Sequence, residues 1–473
     1  MSSPAAAATA AVLSEGGPAW FVGGALRDAL LGREVRDVDV AVPAGSEREI
    51  ADRLAASCGG KRFELSAEHA TWRVLSADAS WHVDIAATRG SGIEEDLLLR
   101  DFTVNALALP VAGGAVIDPA GGLADADAGL LRLASPQAFA SDPLRLLRAA
   151  RIATDAGLRI DRETGELARS AARSASEPAG ERQFAEIRGI VCGPDPIEGL
   201  ALLDELELTA VVLPEVDAMR GVVQGSNHHL DVHGHSLAVL ERVLELERDP
   251  AAIAADEPAR ESLLGFLGQA LADDMTRGEA LRFGALLHDA GKPGTRREED
   301  GGIVTFRGHD ELGSTIVAGF CDRLRTSRRF RRHLQGLALH HLRLGFLIHE
   351  MPLTRRRVYD YLRATDEVAC DVTVLSAADR LSARGSGPLA DDEMIAAHLS
   401  LVREMIPDAL DWASSGPPES PLDGNEVAAA AGIDDGPSIG RVLEGLRAAA
   451  FAGEVSGREE AAELARQIAA ESE

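Results

Sequence analysis

Residues 21–42, Phe-Val-Gly-Gly-Ala-Leu-Arg-Asp-Ala-Leu-Leu-Gly-Arg-Glu-Val-Arg-Asp-Val-Asp-Val-Ala-Val, decide the reading of the N-terminal third of this chain. Phe21 and Val22 close a short apolar run. Gly23 and Gly24 then let the backbone turn sharply and come close to an anion. A helix predicted over Ala25–Leu31 offers its free N–H groups to that anion, and Gly32 ends it. In Asp37–Val42 the alternation puts the valines on one strand face and Asp37 and Asp39 on the other, about 7 Å apart. Two carboxylates beside a phosphate cradle can share hard cations with the phosphates of a nucleotide. The same residues also fit an exposed strand face with a solvated acidic pair.

Outward from this stretch, Trp72-Arg73-Val74-Leu75 and Trp81-His82-Val83-Asp84-Ile85 alternate like strands, so residues 19–135 read as α+β. From residue 141 onward the Leu/Ala periodicity is helical. The expected fold is an α+β head, a small mixed sheet with helices, followed by all-α segments. Residues 1–18 read as a disordered lead-in, 19–135 as the head, 136–220 as a helical neck, 221–385 as a third domain and 386–473 as a helical tail. Gly193-Pro194-Asp195-Pro196 and Leu213-Pro214-Glu215 punctuate the helical part, 250–279 reads as an insertion or peripheral helix pair, and 415–421 as a linker.

The 473-residue chain has 45% hydrophobic content, enough for several cores, with few aromatics (4%). It has no run of about eighteen apolar residues, so no membrane partner is expected. The Ala-rich start lacks a basic signal-peptide region, and Cys58, Cys192, Cys321 and Cys370 form no metal or disulfide pattern; both fit a reducing cytoplasm. A net charge of −28 opposes general nucleic-acid binding, and no DNA partner is expected. Locally the balance inverts: over 321–363, eleven arginines face Asp322, Glu350 and Asp360. That strip either grips a polyanion along one path or consists of helix faces whose arginines pair with acids from other segments.

The 21–42 segment resembles the signature of bacterial tRNA nucleotidyltransferases (CCA-adding enzymes) and their poly(A) polymerase relatives, the class II family. Further motifs follow in family order. Leu99-Arg100-Asp101-Phe102-Thr103-Val104-Asn105-Ala106 is similar to the ribose-binding motif, and Asp118-Pro119-Ala120-Gly121-Gly122 to the hinge. Asp142-Pro143-Leu144-Arg145-Leu146-Leu147-Arg148-Ala149-Ala150-Arg151 is similar to the base-selecting helix, and Glu181–Glu186 to its buttress. The resemblance implies template-independent addition of nucleotides to the 3′ end of tRNA from CTP and ATP, with Mg²⁺ held by Asp37 and Asp39. Asp84, on a neighbouring predicted strand, is either a third carboxylate or a structural acid. Gly23, Gly24 and Arg27 fall at the triphosphate end, although Arg27 also has Asp28 and Asp37 as salt-bridge partners. Arg100 and Asn105 carry over as phosphate and ribose contacts, Asp142 and Arg145 as readers of the base edge, and Arg148 and Arg151 as triphosphate contacts. Asp142-Pro143 also suits a helix N-cap.

Three departures stand out. Leu99 replaces the usual arginine before Arg100, and Ser141 replaces the usual acid before Asp142. CCA-adding relatives usually carry about twenty residues in a flexible loop between the second strand acid and the ribose motif, whereas here Arg89 reaches Arg100 through only ten. By the resemblance, that shortening favours addition of CC alone, with A left to a partner, over addition of the full CCA. The family's alternative activity is poly(A) synthesis.

Ten of the thirteen histidines lie within 228–349. His235, His288-Asp289 and Asp379 follow the order of HD phosphohydrolases, which identifies 221–385 as an HD domain and those four residues as ligands of one divalent ion such as Ni²⁺, Co²⁺ or Mn²⁺. His309, His340 and His341 could hold a second ion. Phosphatase or phosphodiesterase activity in 3′-end repair follows by resemblance. A different reading makes the chain an HD phosphohydrolase whose N-terminal module binds RNA. The C-terminal segment, Leu422–Val455, matches the region that generally holds the tRNA elbow.

Overall fold

The computed structural model describes residues 3–14, 17–66 and 70–471. The chain divides into two compact units, 1–212 and 213–473. The division falls beside Leu213-Pro214, ahead of the boundary expected at 220.

The first unit is built on a six-stranded sheet in the order β3-β4-β5-β2-β1-β6: β1 Trp20–Val22, β2 Val38–Val42, β3 Lys61–Ser66, β4 Thr71–Leu75, β5 His82–Ala87 and β6 Ala108–Pro110. β2 and β5 run parallel and the remaining neighbours antiparallel, so this is the mixed sheet expected. Val38, Val40, Val83 and Ile85 point to one face, where they pack on Ile50, Ala51 and Leu54 of a helix at Glu47–Cys58. The period of two sends Asp39 and Asp84 to the other face.

The disordered lead-in does not hold. Pro4–Leu13 is a helix capped by Ser3, whose hydroxyl accepts from the Ala6 N–H. Ala5 and Leu13 are buried in the same core as the sheet, while residues 1, 2, 15 and 16 lie outside the described residues. Alanine's high helix propensity needs only a docking face, and Ala5, Thr9 and Leu13, four residues apart, supply it. A second difference concerns the helix expected from Asp142, which spans Arg145–Ala156. Asp142 sits one turn earlier, its carbonyl accepting from the Arg145 N–H and its side chain from the Leu144 N–H.

The second unit is mostly helical, with two small hairpins, Ala270–Ala272 with Met275–Thr276 and Arg297–Glu299 with Ile303–Thr305. The 250–279 segment holds a 3-10 turn (Pro250–Ala252), a helix (Glu257–Leu267), the first hairpin and the start of the Arg277–Leu287 helix, so it is not a helix pair. Helices Gly424–Ala431, Gly436–Ala452 and Arg458–Ala470 close on a small core of their own around Val427, Leu446 and Ala461. Most of the basic strip resolves into ion pairs: Arg323 with Glu215, Arg331 with Asp322, Arg355 with Asp408, Arg356 with Glu454, Arg357 with Glu350 and Arg363 with Glu444. Among the described residues no helix is long and apolar enough to cross a membrane.

Candidate active site and candidate metal centre

In the first unit the parallel register sets Asp39 directly opposite Asp84. Both line a cleft of about 550 Å³ together with Arg89, Asp96 and Arg100. Gly23 closes one end of this floor. Its φ is +72°, and a Cβ there would come within 2.9 Å of Asp39 Oδ2 and 3.3 Å of Arg100 Nη1. Glycine is thus required for conformation and for space, and the N-terminus of the Gly24–Leu30 helix abuts the acid. Desolvation by the surrounding cleft walls, and then the charge of Asp84, push the Asp39 carboxyl above its ordinary value, against the pull of Arg100, His82 and Arg148, although its side chain remains open to the cleft. Asp84 is held by Arg73, whose Nε and Nη2 each donate at 2.7 Å. Asp37 lies just before β2, with its carboxylate accepting from the His82 N–H and 2.9 Å from His82 Nδ1.

Four of the predicted nucleotide-binding residues, Arg27, Asn105, Arg148 and Arg151, fall on one continuous polar chain, while Arg100 is held by Asp96. Arg27 donates to Asp28 (2.9 Å) and to Asn105 Oδ1 (3.1 Å). The Asn105 amide donates to Asp101 Oδ1 (3.0 Å), and Asp101 Oδ2 accepts twice from Arg148. Arg148 reaches Glu186 at 3.6 Å, Glu186 accepts from Arg151 at 2.6 Å, and Arg151 donates on to Asp155. Alternating acids and arginines in this way fix the orientation of each guanidinium fork. Burial opposes ionisation of Asp101, but Arg148, Asn105 and the Phe102 N–H outweigh it and hold its carboxyl at about 2.

Asp142 and Arg145 line a second cleft of about 210 Å³ with Arg89, Arg100, Asp101, Arg148 and Arg182. The two are not bonded to each other. Arg145 donates to the carbonyls of Leu99 and Arg100, and Asp142 accepts from Arg182. Arg182 and Glu186 both lie within the Glu181–Glu186 segment, but their contacts to Asp142, Arg148 and Arg151 are not legible from sequence. Arg73, Arg89 and Asp96 were missed: they sit outside every motif and are brought in by strand pairing and by the short turn before the Ile93–Leu98 helix.

In the second unit six ligand-type residues converge in two groups, His235, His288 and Asp379, and Asp289, His309 and His341. Asp289 joins them: its Oδ2 lies 3.2 Å from His288 Nε2 and 3.8 Å from His235 Nε2, and its Oδ1 lies 3.4 Å from His309 Nε2 and 3.7 Å from His341 Nε2. Each ligand comes from a helix end or face. Asp231 caps the helix carrying His235, and His288 and His341 each follow the last residue of a helix. At Gly291 a Cβ would strike the His309 carbonyl at 2.0 Å, so glycine permits the close packing that brings His309 to Asp289. His340, expected among the ligands of the second ion, falls outside the converging group, and its Nδ1 accepts from Arg343. Helix phase explains this, since His333, Leu334, Leu337, Ala338 and His341 share the buried face.

The cluster fits a divalent ion on its own evidence. Asp289 Oδ1 and His288 Nε2 are buried with no hydrogen-bond partner, and the donors are imidazole and carboxylate. Burial, then the neighbouring His288, push His341 down to about 4, leaving its imidazole neutral and able to ligate. Lys292, which donates to Gln224 and lies 2.6 Å from Asp289 Oδ2, adds a cation that the sequence reading had not assigned.

Three family models match this chain: "Poly A polymerase head domain" over residues 19–132, "Probable RNA and SrmB- binding site of polymerase A" over 157–220, and "HD domain" over 232–384. Among curated relatives, an A-adding tRNA nucleotidyltransferase of Deinococcus radiodurans is 31% identical over 95% of this chain and 95% of its own length. A CC-adding tRNA nucleotidyltransferase of Thermus thermophilus is 32% identical over 94% of this chain and 92% of its own. A solved CCA-adding enzyme in an apo form shares the fold, with a TM-score of 0.61 at 20% identity, covering 97% of this chain and 92% of that one. The chain belongs to the tRNA nucleotidyltransferase and poly(A) polymerase family, with an HD domain after its transferase head.

Proposed function

We propose that this protein adds nucleotides to the 3′ end of tRNA without a template, from CTP and ATP, and that it stops after CC. The observation that carries the transferase reading is the register of Asp39 opposite Asp84, at the foot of the Gly23-Gly24 turn. Hard carboxylate oxygens on an open cleft fit Mg²⁺, which keeps room for water and substrate phosphates. When bound there it supplies charge neutralisation at the α-phosphate and a lowered pKa for the attacking 3′-hydroxyl. Asp37 and Asp39 are assigned as its principal ligands. Asp84 is the third carboxylate, tethered by Arg73. The Gly23-Gly24 backbone, Arg27, Arg148 and Arg151 hold the triphosphate, Arg100 joins them at its edge, and Asn105 holds the ribose. Asp142 and Arg145 read the base once Arg145 releases its main-chain partners.

Restriction to CC is supported by the short Arg89–Arg100 segment. It forms a turn and a helix, with Asp96 buried between Arg89 and Arg100. The two curated relatives are each named for part of the terminal sequence. The test is sequencing of tRNA 3′ ends after incubating tRNA trimmed to the discriminator base with CTP and ATP. Ends in CC support the reading and ends in CCA overturn the restriction. Addition of A only to tRNA already ending in CC would reassign the chain to A addition, and a long A tract would identify a poly(A) polymerase. The expected setting is the cytoplasm.

The buried cluster around Asp289 favours a second reaction, hydrolysis of terminal or 2′,3′-cyclic phosphates at damaged tRNA ends with Ni²⁺, Co²⁺ or Mn²⁺. His235, His288, Asp289 and Asp379 would hold the metal, with His309 and His341 around a second position. Phosphate release from a cyclic-phosphate end, lost in Asp289→Ala, is the expected result. No release with any of these metals overturns it.

A further inference from the structure

We propose that Arg89 is a substrate-binding residue of the transfer site, its guanidinium taking a phosphate oxygen either of the nucleotide triphosphate or of the RNA terminus. This rests on the transferase reading above and adds a ligand that no sequence motif assigned.

Arg89 and Arg100 line both the cleft that holds Asp39 and Asp84 and the cleft that holds Asp142, Arg145 and Arg148. A single carboxylate orients them. Asp96, only 3% exposed, accepts from Arg89 Nε (2.7 Å) and the Arg89 N–H (3.2 Å) on Oδ1, and from Arg100 Nε (3.1 Å) and Nη2 (3.0 Å) on Oδ2. The Asp96 carbonyl accepts from Arg89 Nη2. One buried anion between two guanidiniums leaves a net positive charge between the clefts. The Arg89 side chain is 47% exposed, so the fork is fixed on one edge and open on the other. A bidentate-capable cation held this way suits phosphate oxygens.

Its position is equally determined. Gly90 has φ +69°, and a Cβ there would meet the Glu95 side chain at 2.4 Å. Glu95 in turn accepts from the Ser91 N–H and hydroxyl. Leu99, next to Arg100, is aliphatic and 46% exposed. The second guanidinium beside Arg100 therefore comes from across Asp96 rather than from the adjacent position in the chain.

The test is steady-state kinetics of full-length Arg89→Ala, varying CTP and trimmed tRNA separately, alongside thermal melting. The expected loss in kcat/KM is about 10- to 100-fold, as for one charge-assisted contact to phosphate. A rise in KM for CTP alone assigns the phosphate to the triphosphate, and a rise for tRNA alone assigns it to the RNA; either supports the proposal. Unchanged kcat/KM for both substrates overturns it, as does a loss matched by a collapse in melting temperature and absent from Arg89→Gln, which keeps a donor to Asp96 without the charge. Asp39→Ala in the same assay tests the transferase reading separately: if that variant stays active, the reading fails whatever Arg89 does.

Discussion

The two candidate sites of this chain are built on opposite principles. In the first unit Asp39 and Asp84 open on a cleft, and the surrounding arginines are each held by an acid. In the second unit Asp289, His235, His288, His309 and His341 are all buried and face one another. The open site leaves most coordination to whatever arrives, so a hard ion can come and go with a triphosphate. The closed site presents a nearly complete set of imidazole and carboxylate donors before any substrate enters, which suits a resident, softer divalent ion. The open site suits transfer between a nucleotide and an RNA end that arrive together, and the closed one would suit the hydrolysis proposed above.

This contrast is broken most directly by paired substitutions. Asp39→Ala should reduce nucleotide incorporation by about a thousandfold, the scale expected when one preorganised charge is removed from a reacting site. It should leave the metal content of the purified protein unchanged. Asp289→Ala should do the reverse: elemental analysis after dialysis finds the tightly held metal lost, because the residue joining both ligand groups is gone, while incorporation from CTP stays within about twofold of wild type. If either substitution alters both readouts equally, the two sites are not independent.

How much of this could be read from the chain depends on how local each feature is. Gly23, Asp39, Asn105 and the His288-Asp289 pair stand in short motifs whose spacing reflects one turn, one strand or one helix end. Those elements formed where expected. The Asp39–Asp84 apposition needed the pairing of β2 with β5, a choice that a strand pattern cannot make. Arg89 and Asp96 were hidden because their pairing, seven residues apart, is set by the short turn at 90–92 and the start of the Ile93–Leu98 helix, outside any motif. The choice of His341 over His340 was available in principle. The buried face running from His333 through Leu337 fixes the helix phase, and four residues on from Leu337 is His341. The lead-in failed for the converse reason: an alanine run has little polarity contrast, so its docking face is invisible until the sheet core is present.

The smallest expected effect tests how the open site is held together. Asp101 links Asn105 to Arg148, and its folded carboxyl lies at about 2 against an ordinary 3.8. A depressed carboxyl contributes stability that is complete above the unfolded value and is lost as pH falls from about 4 toward 2, amounting to about 2 kcal/mol. Asp101→Asn removes that contribution, so the difference in stability between wild type and variant should be constant above pH 5 and shrink as the pH is lowered through that window. Denaturant unfolding followed by tryptophan emission in a Trp412→Phe background reports on Trp20, Trp72 and Trp81, all in the first unit. A gap that stays the same down to pH 3 would mean that Asp101 is not charged in the folded protein. Glu186, at 3.6 Å, would then be the nearest charged partner of Arg148. The comparison would sharpen in an unexpected direction, because the open cleft would then rest on a neutral hydrogen-bonded floor and its arginines would carry more uncompensated charge for phosphate than the ion-pair chain allows.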